Sequence, residues 1–361
     1  MLNGYSIIDA DSHVVEPTAM WGRYLDPEYR PFAPSPEMMI QGVPIVSQVS
    51  RQVRDQGNQQ MKRAHPNAYF KGYDAESHVQ AMLQMGVDIA FIYPTYGLWL
   101  WAIDDLPPDV AGAFTRAYNT WLYEEFCRYD PQRLRGVGAV NLHAPGHLRS
   151  QLQQIADYGW KAVFVRPNPI QGRLLSDPAY EPFWAECEDL GLAVGIHEGT
   201  HSRLPTAGAE RFRTRFALHA CSHPMEQMMG LLALIEGGVL ERHPRLKVGF
   251  LESGYGWLPY WLWRLDEEYE NLYWEVKETV KLKPSEYFRR QCYVAIDPSE
   301  PYLPQMIQSL GCETLIVGSD YPHMDHKPDI IKQVIELEQQ VSKDTVQQIV
   351  WDNPARFYGL D

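Results

Sequence analysis

The chain has 361 residues, of which 45% are hydrophobic and 22% are charged, a composition typical of a globular protein with a sizeable core. Acidic residues outnumber basic ones by 46 to 32, and the formal net charge of −14 argues against nucleic acid or an anionic membrane as a partner. The five cysteines are scattered and contain no CxxC pair, which argues against a disulfide framework and favours a reducing cytoplasm.

The N-terminal residues 1–13 contain neither a basic segment nor an apolar one, so we expect no signal peptide. No stretch approaches the roughly 18 apolar residues that a membrane-spanning helix needs. The sequence therefore predicts a cytoplasmic protein that binds a small molecule.

Short apolar runs alternate with helical patterns along the whole chain. The runs are nearly continuous, as in strands buried on both faces, and lie at 5–12, 87–94, 135–142, 161–168, 192–198, 247–253, 291–297 and 314–320. Helical patterns lie at 74–85, 107–129, 147–158, 178–190, 224–236, 257–274, 301–310 and 328–340. Eight strand–helix units predict an α/β protein with a (β/α)₈ TIM-barrel fold, and a doubly wound open sheet is the alternative.

Two segments interrupt this alternation. Residues 17–72 follow the first predicted strand, and residues 199–222 follow the fifth. Because barrel active sites lie at the carboxyl ends of the strands, we expect both to be active-site insertions in one domain spanning 1–361.

Ionisable residues stand at the carboxyl ends of several predicted strands. Asp11 and His13 end the first strand, two residues apart and therefore on one face. His197 ends the fifth strand, Glu252 the sixth and Asp320 the eighth. Such a cluster at one barrel mouth needs a cation to compensate it, so we expect these five residues to bind a divalent metal.

The nitrogen and oxygen donors suit Zn, Mn or Fe, and we expect one ion, with two ions as the alternative. Each motif is weak by itself, since Asp320 could also be a turn residue or a helix cap. Asp320 is the predicted general acid or base. Glu252 could be a ligand of a second metal, a general base or a salt-bridge partner.

Further candidates flank these positions. His323 could hold substrate or a metal ligand, or cap a helix. Arg166, at the end of the fourth strand, could clamp a substrate carboxylate or form an internal ion pair with Glu198 or Glu252. His143, Tyr96 and Trp257 are candidate pocket residues, although the aromatic residues 257–263 also have spacing that suits helix packing.

Several histidines allow more than one interpretation. His201, His219 and His223 lie in or beside the second insertion and could supply a second metal, or could be solvated or capping residues. His78 falls on a predicted helix, and we expect it at the surface. Glu16 is expected to be a structural acid and not a ligand.

In its motifs the chain resembles the amidohydrolase-2 branch of the amidohydrolase superfamily, related to aminocarboxymuconate semialdehyde decarboxylase. The resembling segments follow one another along the whole chain and are IIDADSHVVEP (7–17), GIHEG (195–199), HPRLKVGFLESGYGWLPYWLWRLDE (243–267), GSDYPHMD (318–325) and NPARFYGL (353–360). The resemblance implies a TIM barrel, a catalytic metal, and either hydrolysis or non-oxidative decarboxylation. It also favours a homodimer.

The metal ligands of this branch fall on Asp11, His13, His197 and Asp320. Asp11 stands where the family often has His or Glu, and a carboxylate preserves ligation. Glu252 is the larger departure, because decarboxylases of the branch usually have His after the sixth strand.

This departure favours a hydrolase that uses metal-activated water on an ester, amide, lactone or thioester of a bulky apolar or aromatic acid. The alternative is a metal-dependent non-oxidative decarboxylase of an aromatic or unsaturated acid, in which Asp320 protonates carbon. A non-enzymatic binding barrel is a third hypothesis, disfavoured by the intact ligand positions.

Overall fold

The computed structural model describes residues 2–45, 51–199, 203–323 and 326–360, with 51–54 as helix backbone alone. Eight parallel strands form one sheet whose strand order follows the chain, and two short antiparallel strands, β2 and β3, form a separate hairpin. In chain order the strands are β1 (Ile8–Val14), β2 (Met39–Ile40), β3 (Val43–Pro44), β4 (Ile89–Pro94), β5 (Leu134–Ala139), β6 (Ala162–Val165), β7 (Ala193–Ile196), β8 (Val248–Phe250), β9 (Cys292–Ile296) and β10 (Leu315–Val317).

The sheet curls into a nearly closed barrel. Backbone hydrogen bonds from His13 N to Tyr321 O (2.7 Å) and from Asp320 N to Asp11 O (2.8 Å) join β1 to the segment after β10. Every side chain of β1 and β9 is buried, as expected of strands covered on both faces. All eight predicted barrel strands are present, and the predicted TIM-barrel fold is confirmed.

Helices surround the barrel. Their bounds are α1 (Thr18–Tyr24), α2 (Arg51–Ala64), α3 (Pro66–Phe70), α4 (Ala75–Met85), α5 (Gly97–Leu100), α6 (Pro108–Trp121), α7 (Leu148–Asp157), α8 (Glu181–Leu190), α9 (Arg215–Glu236), α10 (Val239–Arg242), α11 (Trp257–Val276), α12 (Pro284–Gln291), α13 (Leu303–Leu310), α14 (Ile330–Glu336), α15 (Lys343–Gln347) and α16 (Asn353–Tyr358). Among the described residues, none of the helices has the length and apolar character needed to cross a membrane.

Helix α9 departs most from the sequence prediction. The pair His223-Pro224 predicts a helix start, but the helix begins nine residues earlier, at Arg215, and Pro224 lies inside it. The Thr214 side chain accepts a hydrogen bond from the Ala217 N–H and caps the true start. As a result, His219 and His223, which the sequence places at a loop, lie four residues apart on one helix.

Candidate metal centre

Four predicted ligands meet at the carboxyl ends of β1, β7 and β10, and we call Asp11, His13, His197 and Asp320 the inner cluster. The Asp11 Oδ1 atom lies 3.3 Å from His13 Nε2 and 3.4 Å from His197 Nε2. Asp320 Oδ1 lies 3.4 Å from His13 Nε2. The structure therefore brings together donors that are up to 309 positions apart in the sequence.

Backbone carbonyls orient the two imidazoles of the inner cluster. His13 Nδ1 lies 2.8 Å from the Pro94 carbonyl oxygen, and His197 Nδ1 lies 2.7 Å from that of Glu198. A carbonyl only accepts, so each Nδ1 carries a proton, and each Nε2, which faces Asp11, is the atom left to bind a metal. This is the tautomer that a metal-ligating histidine needs.

The donor atoms of the inner cluster fit a divalent cation. Asp11 Oδ1, His13 Nε2 and His197 Nε2 are buried and have no hydrogen-bond partner among the described residues. An unpaired buried polar atom costs about 1–3 kcal/mol, which a bound ion offsets. Two ligands about 2.1 Å from a tetrahedral ion lie about 3.4 Å apart, close to the separations found here.

The charges of the cluster also favour a cation. Burial raises the pKa of Asp11, but His197 and His13 outweigh burial and lower that pKa to about 2. Burial lowers the pKa of His197, yet Asp11 and Glu252 raise it to about 9. Burial and the charge of Glu252 raise the pKa of Asp320 well above its usual range. The carboxylates thus create a negative electrostatic potential at the imidazole nitrogens. This potential favours the binding of a metal cation.

Asp320 continues into a short hydrogen-bonded chain. Its Oδ1 lies 2.5 Å from His323 Nδ1, and His323 Nε2 lies 2.8 Å from Thr95 Oγ1. The His323 ring packs against that of His13, with centroids 4.0 Å apart. The contact between Asp320 and His323 is a hydrogen bond in which the two groups share a proton, and we call them the proton-holding pair.

Glu252 extends the site outward, and we call Glu252, His219 and His223 the outer cluster. Glu252 Oε2 lies 3.3 Å from His197 Nε2, and its Oε1 lies 3.4 Å from His223 Nε2. Burial raises the pKa of Glu252, but His223 and His197 outweigh burial and hold that pKa well below its usual range. The carboxylate therefore connects the inner cluster to the histidines of α9.

Both carboxylates predicted to be catalytic have an uncommon backbone conformation. Glu252 has φ +52° and Asp320 has φ +55°, in the left-handed region that side chains generally avoid. Residues held in this way are concentrated at functional sites, where the surrounding structure fixes a side chain in one direction.

Three further residues hold the backbone segments that contain or adjoin the inner cluster. Buried Asp9 accepts hydrogen bonds from the Ser319 N–H and hydroxyl, which ties β1 to the segment after β10. A Cβ at Gly318 would collide with Asp11, so this close approach requires glycine. Glu16 accepts backbone hydrogen bonds from residues 95–97 and anchors the loop that contains Thr95.

Arg166 matches the second of its two sequence interpretations, the internal ion pair. Its guanidinium is buried and pairs with Glu198, which is also buried. It also donates to the Leu98 and Gly199 carbonyls and to the Asn168 side chain. These contacts engage the donors of Arg166 in this conformation, and its role as a substrate clamp stays a prediction.

The remaining predicted pocket residues lie outside both clusters. His143 Nε2 is 2.9 Å from the Ile103 carbonyl oxygen. Tyr96 packs beside Trp99, with ring centroids 5.9 Å apart, and Trp257 begins α11 and packs near Phe250. Their role in substrate binding stays a prediction, and His201 lies outside the described residues.

Two histidines of the region were not foreseen. The surface position expected for His78 is wrong, because its ring is buried and lies 3.1 Å from the Ser12 hydroxyl beneath the inner cluster. His326, not singled out from the sequence, places Nδ1 2.7 Å from the Ser319 carbonyl oxygen and packs beside His65. His78 shares a face of α4 with Met82 and Met85, and this apolar face was the available signal.

Comparison with known proteins identifies the family. The amidohydrolase family model matches residues 8–360. The chain is 26% identical over 234 residues to a 2-amino-3-carboxymuconate-6-semialdehyde decarboxylase from Dictyostelium discoideum, covering 64% of this chain and 63% of that enzyme, less than two thirds of its length. It is also 26% identical over 234 residues to a gamma-resorcylate decarboxylase from a Rhizobium species, covering 59% and 68% of the two chains.

A solved relative has the same fold. It is the 5-carboxyvanillate decarboxylase of Novosphingobium aromaticivorans, solved with bound manganese. The TM-score is 0.75 at 18% identity, and the match covers 99% of this chain and 97% of the other.

These relatives overturn one expectation. The sequence favoured hydrolysis because Glu252 replaces a histidine, but the relatives named above are decarboxylases. The hydrolase prediction is therefore wrong, and the single departure at Glu252 did not justify it. From residue 8 to residue 360 the chain belongs to the amidohydrolase family, and it is an enzyme of the amidohydrolase superfamily.

Proposed function

We propose that this enzyme is a metal-dependent, non-oxidative decarboxylase of an aromatic or unsaturated carboxylic acid. One observation carries the proposal: a proton-holding carboxyl pair, Asp320 and His323, lies at the edge of a buried cluster of unpaired metal donors. Decarboxylation needs these two elements, a cation for substrate oxygens and a proton donor for carbon. The decarboxylase relatives support the same reaction.

The reaction balances without an oxidant. The bond between the carboxyl carbon and the substrate carbon breaks, its electron pair stays on the substrate carbon, and CO₂ leaves. That carbon then takes the proton from Asp320, while His323, held by Thr95, keeps the carboxyl group oriented. Burial and the charge of Glu252 raise the pKa of Asp320 well above its usual range, which favours a protonated carboxyl group before an ion binds.

We propose Asp11, His13, His197 and Asp320 as the ligands of a divalent ion that is Zn, Mn or Fe. Such an ion, when bound, supplies Lewis-acid stabilisation of negative charge on substrate oxygens. The manganese in the Novosphingobium enzyme favours Mn²⁺ as the first ion to test. Tyr96, Trp257 and His143 remain proposed substrate-binding residues.

The test uses purified protein stripped of metal and reloaded with Mn²⁺, Zn²⁺ or Fe²⁺. Gamma-resorcylate, 5-carboxyvanillate and related aryl acids are incubated with it in D₂O, and CO₂ and the deuterated product are measured. We expect equal amounts of CO₂ and product, with one deuterium at the vacated carbon. The Asp320→Asn variant should lose about 100-fold or more in turnover.

Two results would refute the proposal. Acid release from ester or thioester substrates without CO₂ formation would show a hydrolase. Decarboxylation that proceeds at the full rate after complete chelation, or in Asp320→Asn, would remove the roles given to the metal and to Asp320.

We also propose a homodimer. Exposed aromatic side chains lie on α9 and α11, where Phe216 is 86%, Trp263 is 55% and Trp274 is 69% exposed. Such a surface favours association. Light scattering after size exclusion tests it, and Trp263→Glu should shift the protein toward monomer. A cytoplasmic location and a single domain over 1–361 likewise remain proposals, the former resting on the five unpaired cysteines.

A further inference from the structure

We infer that the outer cluster is a second divalent-cation site, in which Glu252 is shared with the inner cluster. The inference rests on side-chain placement and holds whichever reaction the enzyme performs. It favours two ions, which is the alternative to the single ion expected from the sequence.

Three donors of suitable type converge in the outer cluster. One ligand atom each from His219, His223 and Glu252 lies within 4.8 Å of the others. Two imidazoles and a carboxylate form a common donor set for zinc, and the set suits Mn²⁺, Fe²⁺ and Co²⁺ as well. The spacing His219-x-x-x-His223 on one helix is also the spacing by which paired histidines of a helix ligate zinc.

Glu252 has one oxygen for each cluster. Oε2 lies 3.3 Å from His197 Nε2, whereas Oε1 lies 3.4 Å from His223 Nε2. A carboxylate oriented in this way can bridge two neighbouring cations, as in two-metal hydrolytic and phosphoryl-transfer sites. The positive φ of Glu252 fixes this orientation in the backbone.

The second ring nitrogen of His223, Nδ1, lies near two polar side chains. Its Nδ1 lies 3.5 Å from Glu198 Oε2 and 3.3 Å from the Ser222 hydroxyl. Glu198 is fully buried, and its Oε2 has no hydrogen-bond partner among the described residues. Oε2 is therefore available to accept from His223 Nδ1, and a carboxylate in that position is the usual support of a metal-ligating imidazole.

Rigid contacts hold α9 in this place. Gln227, one turn after His223, donates from its side-chain amide to the Ile196 (2.9 Å) and Leu251 (3.0 Å) carbonyl oxygens at the ends of β7 and β8. Trp261 of α11 donates to the Met228 carbonyl oxygen. The histidines are therefore positioned before any ion binds, as a specific site requires.

The experiment counts ions in the full-length protein. Protein stripped with a chelator is titrated with Co²⁺ and with Mn²⁺, and bound metal is measured by mass spectrometry together with Co²⁺ absorption and Mn²⁺ electron paramagnetic resonance. Wild type should bind about two ions per chain, and His219→Gln about one, because the inner cluster keeps its donors. The pair of Mn²⁺ ions should be spin-coupled in wild type and uncoupled in His219→Gln.

A matched control is His147→Gln, which changes an exposed histidine and should retain two ions. Glu252→Gln is the second variant, and it should also lose the outer ion and the coupling. One ion per chain in wild type, with the same spectrum in His219→Gln, would overturn the inference. Loss of all metal in a folded His219→Gln would overturn it too, since the clusters would then form one site. A failed decarboxylation assay leaves these counts unchanged, so the two proposals fail separately.

Discussion

The inner and outer clusters differ in what orients their side chains. In the inner cluster the backbone orients the side chains: the Pro94 and Glu198 carbonyls fix His13 and His197, and Asp320 N–H bonds to Asp11 O. In the outer cluster side chains do this work, through Glu198, Ser222 and Gln227. One half of the site therefore follows from the barrel itself, whereas the other depends on how one helix docks.

This difference explains what sequence patterns can and cannot show. Strand register places every residue after a barrel strand at the same mouth, so the meeting of the inner-cluster residues could be predicted from strand ends alone. Helix α9, which contains His219 and His223, has no such fixed register relative to the strands. Its side chains reach the site only through tertiary contacts that a linear pattern does not contain.

The largest expected effect is that of His197→Ala. This change removes an inner ligand and leaves Asp11 Oδ1 without one of its two histidine neighbours. We expect decarboxylase turnover to fall at least about 100-fold, and the inner ion to be lost. Turnover and metal content are measured together, with His147→Ala as the control. If turnover stays within a few-fold of wild type, the inner cluster is not the part of the site on which turnover depends.

The fold shows the same division between predictable and unpredictable parts. Continuous apolar runs such as 291–297 predicted strands that the structure confirms, here as Cys292–Ile296. The start of α9 was misplaced because Pro224 resembles a helix start, whereas Thr214 supplies the actual cap. Proline costs the helix one hydrogen bond, and the packing of α9 offsets that loss.

Gln227→Leu should separate the two clusters. The change removes one donor from each of the Ile196 and Leu251 carbonyls, which keep the Leu251 N–H and the Ser253 hydroxyl, at about 0.5–1.5 kcal/mol for each lost hydrogen bond. We expect a lower melting temperature and about 10-fold to 100-fold weaker binding of the outer ion, with the inner ion retained. Gln153→Leu on α7 is the exposed control. Equal weakening of metal binding at both clusters would show that α9 supports the whole barrel mouth. The two clusters would then not be held independently.

Site residues divide in a similar way. Asp11, His13, His197 and Asp320 could be named from the sequence because polar groups interrupt apolar strand ends. Arg166 could not be assigned, since the same position suits a substrate clamp or an ion pair, and the ion pair with buried Glu198 becomes visible only in the structure.

A smaller effect is expected for Thr95→Val. Valine keeps the shape of threonine but cannot hydrogen-bond His323 Nε2, so the proton-holding pair with Asp320 loses its support. We expect kcat to fall about 10-fold with metal content unchanged. Thr120→Val on α6, whose hydroxyl faces Tyr158, is the control. An unchanged kcat would show that Asp320 and the His13 ring hold His323 in place without Thr95.

The smallest effect concerns the pH dependence of stability near the outer cluster. Burial raises the pKa of Glu226 to about 7, and the charge of Glu198 adds to this, although the Ala207 N–H opposes it. Between the ordinary glutamate pKa and pH 7 the folded state binds more protons than the unfolded state. Stability contributed by this group is therefore present at low pH and is lost as the pH rises toward 7.

Glu226→Gln should remove that loss, because glutamine can still accept the Ala207 hydrogen bond but does not ionise. We expect the variant to gain on the order of 2 kcal/mol relative to wild type between pH 5 and pH 8. Thermal unfolding of both proteins at matched metal loading measures the gain, and Glu236→Gln, exposed at the end of the same helix, should show none. A constant difference across this pH range would mean that Glu226 is already ionised at pH 5. Glu226 would then add its negative charge to that of the other carboxylates around α9 already at pH 5. The outer cluster would attract a cation still more strongly.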